Sequence, residues 1–335
     1  MKNKINTRRS PKRRRFKNKA KKRVYRSRNW REYNAALVQR GSLTLWIDQA
    51  VLSGWLNQQR TGKRGASNTY TDAAIVAALT LKVVYRLPLR ATAGLLASLL
   101  KLIGLHLPVP HYSTLSRRQQ SLQMALPRQA QSKALHVVVD ATGCKVYGEG
   151  EWRVRQHGIS KRRTWRKLHL AVDETTGEVV AAVLTTNDVA DSTVLPHLLE
   201  QVEEPIQQLS GDGGYDKRLC YDTLRERQRE QRVPLWVAIP PRRGARIWQH
   251  GNSKQERLAR DENLRRMRQV GRQQWKEESG YHRRSLAETA MFRLKTIFGD
   301  KLSARVFEAQ AAEAFIRCAA LNQMTGLGMP ESYAV

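Results

Sequence analysis

The sequence predicts an α/β protein, a mixed sheet flanked by helices, with an all-helical region in front of it. Three observations carry that expectation. A chain of 335 residues that is 41% hydrophobic can bury a sizeable core and divides into about two domains. Between Thr71 and Leu105 apolar residues recur at three- and four-residue spacing, the period of a helix. From Leu135 onward short β-branched runs alternate with helical ones, as they do when strands and helices build one sheet.

Residues 1–28 carry fifteen Lys or Arg, no acid and almost nothing apolar, so they are expected to form a disordered basic arm. Residues 29–132 are read as the helical region. Thr71 is placed to cap a buried helix running to about Tyr85, with Asp72 in its first turn. A second helix starts near Leu89 after Pro88, and Gly104 stands at its C-terminal cap. Ser113 is expected to cap a third helix with Leu115 and Leu122 turned inward and Arg117, Arg118, Gln119 and Gln120 turned to solvent. Three short helices ending in a basic one suit helix-turn-helix DNA recognition, with a plain helical bundle as the alternative.

The character changes at a hinge near Lys133. Leu135–Val139 reads as a buried strand that ends in a turn at Asp140. Leu168–Val172 and Val179–Thr185 form a hairpin around Asp173–Gly177. A helix over Ser192–Val202, a strand into Ser210, a helix from Asp216 and a strand over Leu235–Ile239 follow. Residues 240–279 form a basic, poorly patterned insertion. Helices near Tyr281–Phe298 and Glu308–Leu321 close a second unit, 133–327, and 328–335 is a tail.

Sixty Lys and Arg against 29 Asp and Glu leave a net charge of +31, of which the arm supplies 15. The folded part is therefore also a polycation, and double-stranded DNA is its expected partner. No membrane partner is expected: the longest apolar run, Gly94–Leu105, is twelve residues interrupted by Lys101. The basic N-terminus lacks the apolar stretch of a secretory signal peptide, so a cytoplasmic, nucleoid-associated protein is expected. Cys144, Cys220 and Cys318 are widely spaced and odd in number, which suits core residues rather than a disulfide framework or a zinc site.

Three carboxylates stand at special places in this order. Asp140 leaves the first strand, Asp212 leaves a later one, and Glu288 lies in a helix. Converging, they would offer the hard oxygen ligands that Mg²⁺ takes, and two such ions suit in-line displacement at phosphorus. Singly, Asp140 and Asp212 also read as turn formers, and Ser285–Glu288 also fits a capping box. If the helix instead starts at Tyr281, then Tyr281, Arg284, Glu288 and Lys295 fall at about 0°, 300°, 340° and 320° around it and share one face. Two cations and a phenol beside a metal-binding acid would grip a phosphodiester. Arg162, Arg163, Trp165, Arg166 and Lys167, in a block of cations and aromatics, and Arg242 and Arg243, after a Pro-Pro pair, are further candidates for DNA contacts.

The spacing Tyr281-x2-Arg284-x3-Glu288-x6-Lys295 matches a signature of DDE transposases from bacterial insertion sequences, and the chain resembles the insertion-sequence-five family in particular. The likeness runs from about Trp30 to Ala334 and includes Tyr33–Ile47, Leu87–Arg90, Gly148–Val172, Gly211–Asp216 and Gly328–Ser332. Gly214 stands where that family's pattern would have Ala. The resemblance implies an RNase H-like catalytic domain with Asp140, Asp212 and Glu288 as its acidic triad, binding two Mg²⁺ ions with Mn²⁺ as a substitute. It also implies binding of terminal inverted repeats, DNA cleavage and strand transfer, with two protomers in a synaptic complex. The rival readings are a metal-dependent nuclease that stops after hydrolysis and a non-catalytic DNA-binding regulator.

Overall fold

The computed structural model describes residues 25–58, 69–122, 124–128, 134–146, 165–250 and 256–335. Its centre is a mixed sheet made of β2 (Leu135–Val146), β3 (Trp165–Asp173), β4 (Val179–Thr186), β5 (Ile206–Ser210) and β6 (Trp236–Ala238) in the order β4-β3-β2-β5-β6. The first three run antiparallel to their neighbours, while β5 and β6 join in parallel. That topology, covered by helices on both faces, is the RNase H-like arrangement. A short β7 (Lys301–Leu302) extends the sheet beside the end of β2. An outlying pair joins β1 (Tyr25–Ser27) to β8 (Ser332–Ala334).

β2 continues through Asp140 to Val146, six residues beyond the turn expected there. The turn-forming letters Asp-Ala-Thr-Gly are overridden because Ala141 to Lys145 pair with His169 to Trp165 across the hairpin. Strand alternation then sorts the core into two. Val137, Val139, Ala171 and Leu209 face α6 (Asp191–Leu199) and α7 (Arg218–Gln231). Val138, Leu168, Leu170 and Val172 face α9 (Ser285–Phe298) and α10 (Phe307–Gly326).

The second core continues into the N-terminal helices: α1 (Trp30–Gln39), α2 (Gln49–Ser53), α3 (Asp72–Val84), α4 (Leu89–Leu102) and α5 (Tyr112–Arg118). Ile75, Leu79, Leu96 and Leu115 belong to one apolar cluster with Val138, Leu294 and Leu321. The helical region is thus packed onto the sheet rather than folded around a core of its own. The hinge expected at Lys133 lies outside the described residues. A buried ion network reinforces the junction. Glu313 on α10 accepts from Arg317 at 2.6 Å, from the Ser303 hydroxyl at 2.8 Å and from the Ala304 amide at 2.9 Å, and pairs with Lys82 of α3 at 3.4 Å. Burial alone would raise the Glu313 carboxyl, but Lys82 and Arg317 pull it below its ordinary range.

Several local expectations change. His111, not Ser113, caps α5, its Nδ1 accepting from the Ser113 amide. Gln119 is buried, because its amide donates to the Ala309 carbonyl on α10 at 2.8 Å. Residues 25–28, expected in the arm, and 332–334, expected in a loose tail, hold each other through β1 and β8. The insertion 240–279 contains α8 (Ala259–Glu278), broken at Gly271, whose φ of 83° only glycine adopts freely. Arg260 there is buried between Asp216 at 2.7 Å and Asp261 at 3.2 Å and lies over the Trp248 ring. All three cysteines are free and buried, as core residues. Among the described residues no helix is long and apolar enough to cross a membrane.

Candidate active site

The sheet register brings two of the acids level. Val138 on β2 stands opposite Ser210 on the parallel strand β5, so Asp140 and Asp212, each two residues on, leave that pairing in the same direction, and the Asp140 carboxyl feels the charge of Asp212. Asp140 has the parity of Val138, which faces α9, and Asp212 has the parity of Gln208 and Ser210. Both of these neighbours confirm that orientation: Gln208 donates to the Ser279 carbonyl just before the Tyr281 turn, and Ser210 bonds His136 on the same face of β2. Asp212 caps the one-turn helix Gly213–Tyr215, its Oδ1 accepting the Gly214 amide at 2.8 Å. A Cβ at residue 214 would stand 2.8 Å from that oxygen, so Gly214 permits the folded-back carboxylate.

The third acid comes from above. Tyr281–Arg284 forms a 3-10 turn that leads directly into α9 at Ser285. Neither sequence alternative holds in full. The α-helix starts at Ser285, yet no side chain caps it, and the 3-10 turn keeps Tyr281 and Arg284 beside Glu288. Arg284 donates from Nη1 to Asp140 Oδ2 at 2.8 Å and from Nη2 to Glu288 Oε1. Its guanidinium also lies 5.9 Å from the centre of the Tyr281 ring. Lys295 follows Glu288 by seven residues, two turns along the same face.

Burial raises the Asp140 carboxyl above its usual range, and Asp212 and Glu288 add to the rise while the Ala141 amide and Arg284 oppose it. Asp140 therefore feels both of the other acids. Among the described residues no three His, Cys, Asp or Glu side chains form a ready ligand cluster. Arg284 lies between Asp140 and Glu288 and holds them apart by pairing with each. The donors nevertheless suit a divalent cation: carboxylates are hard oxygen ligands, and Asp140 and Glu288 share the single Arg284 guanidinium.

The other expected DNA contacts divide. Arg117 is exposed. Arg118 braces α3, donating to the Tyr70 carbonyl at 2.9 Å and pairing with Asp72. Arg166 donates to Gln310 at 2.9 Å, and Lys167 is held by the Val189 carbonyl at 2.9 Å and Asp191 at 3.0 Å. These three side chains serve the fold, and nothing in an alternating basic strand signals such partners. Trp165 is half-buried beneath the Lys145 ammonium. Arg162 and Arg163 lie outside the described residues. Arg242 and Arg243 are exposed, and Arg242 touches the Asp212 loop through the Gly213 carbonyl at 3.3 Å. Sequence reasoning missed Tyr215, fully buried in the core that contains Val139, its hydroxyl pushed up by burial and then by Asp191, Asp140 and Asp212, although the Gly-Asp-Gly-Gly-Tyr run marks the place.

Two family models, each described as "Transposase DDE domain", match this chain, one over residues 131–323 and one over residues 38–149. Among solved structures the chain is similar to the "Drosophila P element transposase strand transfer complex" at 12% identity and a TM-score of 0.29. That likeness covers 57% of this chain and 47% of the other, so the chain spans about half the length of that relative.

Proposed function

Since this chain belongs to the DDE transposase domain family, we propose that it is a transposase that binds the terminal inverted repeats of an insertion sequence and performs metal-dependent DNA cleavage and strand transfer. The observation that supports this reading is that Arg284 pairs with both Asp140 and Glu288 while the Asp140 carboxyl also feels Asp212.

Asp140, Asp212 and Glu288 would hold two Mg²⁺ ions, or Mn²⁺ in their place, which activate the attacking oxygen and stabilise the leaving one. The protein's own part is positioning. Arg284, which spans Asp140 and Glu288, would donate its Nη groups to a phosphodiester held beside those acids. Lys295, about three turns on, and Tyr281, one turn back, would extend that grip along the backbone. Arg242 and Arg243 approach from the Asp212 side, and Arg117 from α5. Water attacks the phosphodiester at the element end, forming a new P–O bond as the bond to the 3′ oxygen breaks and releases a 3′-OH. That hydroxyl then attacks a phosphodiester of target DNA, exchanging one ester for another. Two protomers would hold the two ends in one complex.

The test supplies a pre-cut element end with a 3′-OH, target plasmid and Mg²⁺ to the full chain. Joined strands support the transposase reading. Nicked plasmid without joining leaves only a nuclease, and neither product, with DNA binding intact, leaves a DNA-binding regulator.

A further inference from the structure

A second basic surface lies away from the acids. An open cleft of about 960 Å³ separates the turn between α3 and α4 from the segment that joins β7 to α10. Its floor is the ion network described above: Lys82, Glu313 and Arg317, with buried Gln119 beside them. Its rim carries Arg86, Arg90, Lys301 and Arg305, all exposed. Six cations thus line the cleft against one acid, and that acid is already satisfied by Arg317, Lys82 and two backbone amides.

Arg86, Arg90 and Arg305 on the rim make no ion pair among the described residues. Arg86 donates to the Thr296 and Ile297 carbonyls at the C-terminal end of α9, at 2.9 and 3.0 Å, a contact that leaves its charge uncompensated by any acid. Its φ of 53° is unusual for a residue with a side chain and turns the chain into Leu87–Arg90, the stretch that the sequence resemblance singles out. Arg90 lies 4.7 Å from the centre of the Tyr112 ring, a cation–π contact that orders the side chain while leaving its fork open. Arg305 reaches the same opening from the other wall with no ion pair among the described residues. Phe298, at the end of α9, also lines the cleft. Ten residues separate it from Glu288, so the cleft is about 15 Å along the helix from the acids, at 1.5 Å per residue.

We propose that this cleft is a second DNA-backbone site, in which Arg90 and Arg305 bind phosphates of the duplex whose reacting phosphate is presented to Asp140, Asp212 and Glu288. The inference rests on the function proposed above and adds to it where the duplex lies. The guanidinium and ammonium donors of the rim match phosphate oxygens, the acceptors that a duplex presents at every step whatever its sequence.

The test measures binding of the full chain to a mixed-sequence 40-bp duplex by fluorescence anisotropy over a range of salt concentrations. R90E with R305E is compared with R229E plus R257E, an equal charge change on exposed arginines remote from the cleft. The cleft pair is expected to weaken binding at least about tenfold and to reduce the salt slope by about two, against a loss of under about threefold for the control pair. Equal losses in the two pairs overturn the cleft while leaving the proposed function standing. A cleft pair that binds the duplex normally but no longer binds a poly-glutamate peptide also overturns it, in favour of an acidic protein partner. Failure of the unmodified chain to bind any duplex overturns this inference and the proposed function together. R90Q with R305Q, which introduces no new acid beside Glu313, carries the same test if the reversal lowers the melting temperature.

Discussion

Two arginine–glutamate pairs four residues apart sit at the two ends of the same structural layer, and they differ in almost every physical respect. Glu313 and Arg317 are 1% and 6% exposed, and every oxygen of Glu313 is met by donors from Arg317, Lys82, Ser303 or Ala304. Glu288 is 53% exposed and has Arg284 as its hydrogen-bonding partner, while Arg284 is shared with Asp140. The first pair belongs to a buried polar network in low dielectric, in which both Glu313 oxygens are met and Arg317 Nε lacks a partner, and losing a member strands a buried charge. The second has donor and acceptor capacity left over, and it faces a second and third carboxylate. A cluster built only to hold the fold would resemble the first, and one that must exchange partners during a reaction would resemble the second.

The largest effect expected from this contrast is on chemistry. Asp140→Asn, Asp212→Asn and Glu288→Gln should each lower Mg²⁺-dependent cleavage of an element end by about 10³-fold or more, with duplex binding by anisotropy retained. Loss of cleavage only in proportion to lost binding would erase the distinction between the two clusters. Glu313→Ala should act in the opposite sense, costing about 3–5 kcal/mol in denaturant unfolding because Lys82 and Arg317 are left buried without their acid. A cost near zero would mean that the buried cations do not depend on that acid.

How far such differences can be read from letters alone depends on what sets them. The hairpin, the strand into Asp212 and the helix near Glu288 are legible because apolar spacing follows the faces they bury. The Tyr281–Lys295 stripe was also legible, and the 3-10 turn before Ser285 kept its first half in place. The length of β2 was hidden, since cross-strand pairing to β3 decided it against local turn propensity. α8 was hidden as well: its sequence is so charged that no apolar stripe shows, and it is fixed by Asp216, Asp261 and Asn263 contacts made far from one another in the chain. The same limit concealed the Lys82–Glu313–Arg317 network, whose members look like any solvated charges, and the engagement of Arg166 and Lys167.

Smaller effects sharpen the contrast further. His169, with no exposed surface, and His136 both have ring pKa values lowered to about 4, chiefly by burial. Each is neutral in the folded chain while the unfolded chain takes up a proton below about 6.5, so folding loses stability as pH falls from 6.5 towards 4. For His169 this amounts to about 2 kcal/mol at pH 5, to be read from melting temperatures between pH 7.5 and 4.5. His169→Gln should flatten that decline, and an unchanged profile would remove its cause. The Glu313 carboxyl, held below its ordinary range, adds a further loss only at more acid pH. Smallest of all, Arg243→Ala should weaken binding of unrelated duplexes alike and lower the salt slope by about one, with no change in stability. A sequence-selective loss would point instead to a base contact.

The central claim is that Asp140, Asp212 and Glu288 act together as one divalent-cation site. Mn²⁺ titration of the full chain with a bound duplex, followed by electron paramagnetic resonance of the free ion, measures it directly. Removal of free Mn²⁺ by the unmodified chain, and a clear loss of that uptake in Asp140→Asn and in Asp212→Asn, is the predicted result. Equal uptake in all three proteins would contradict it.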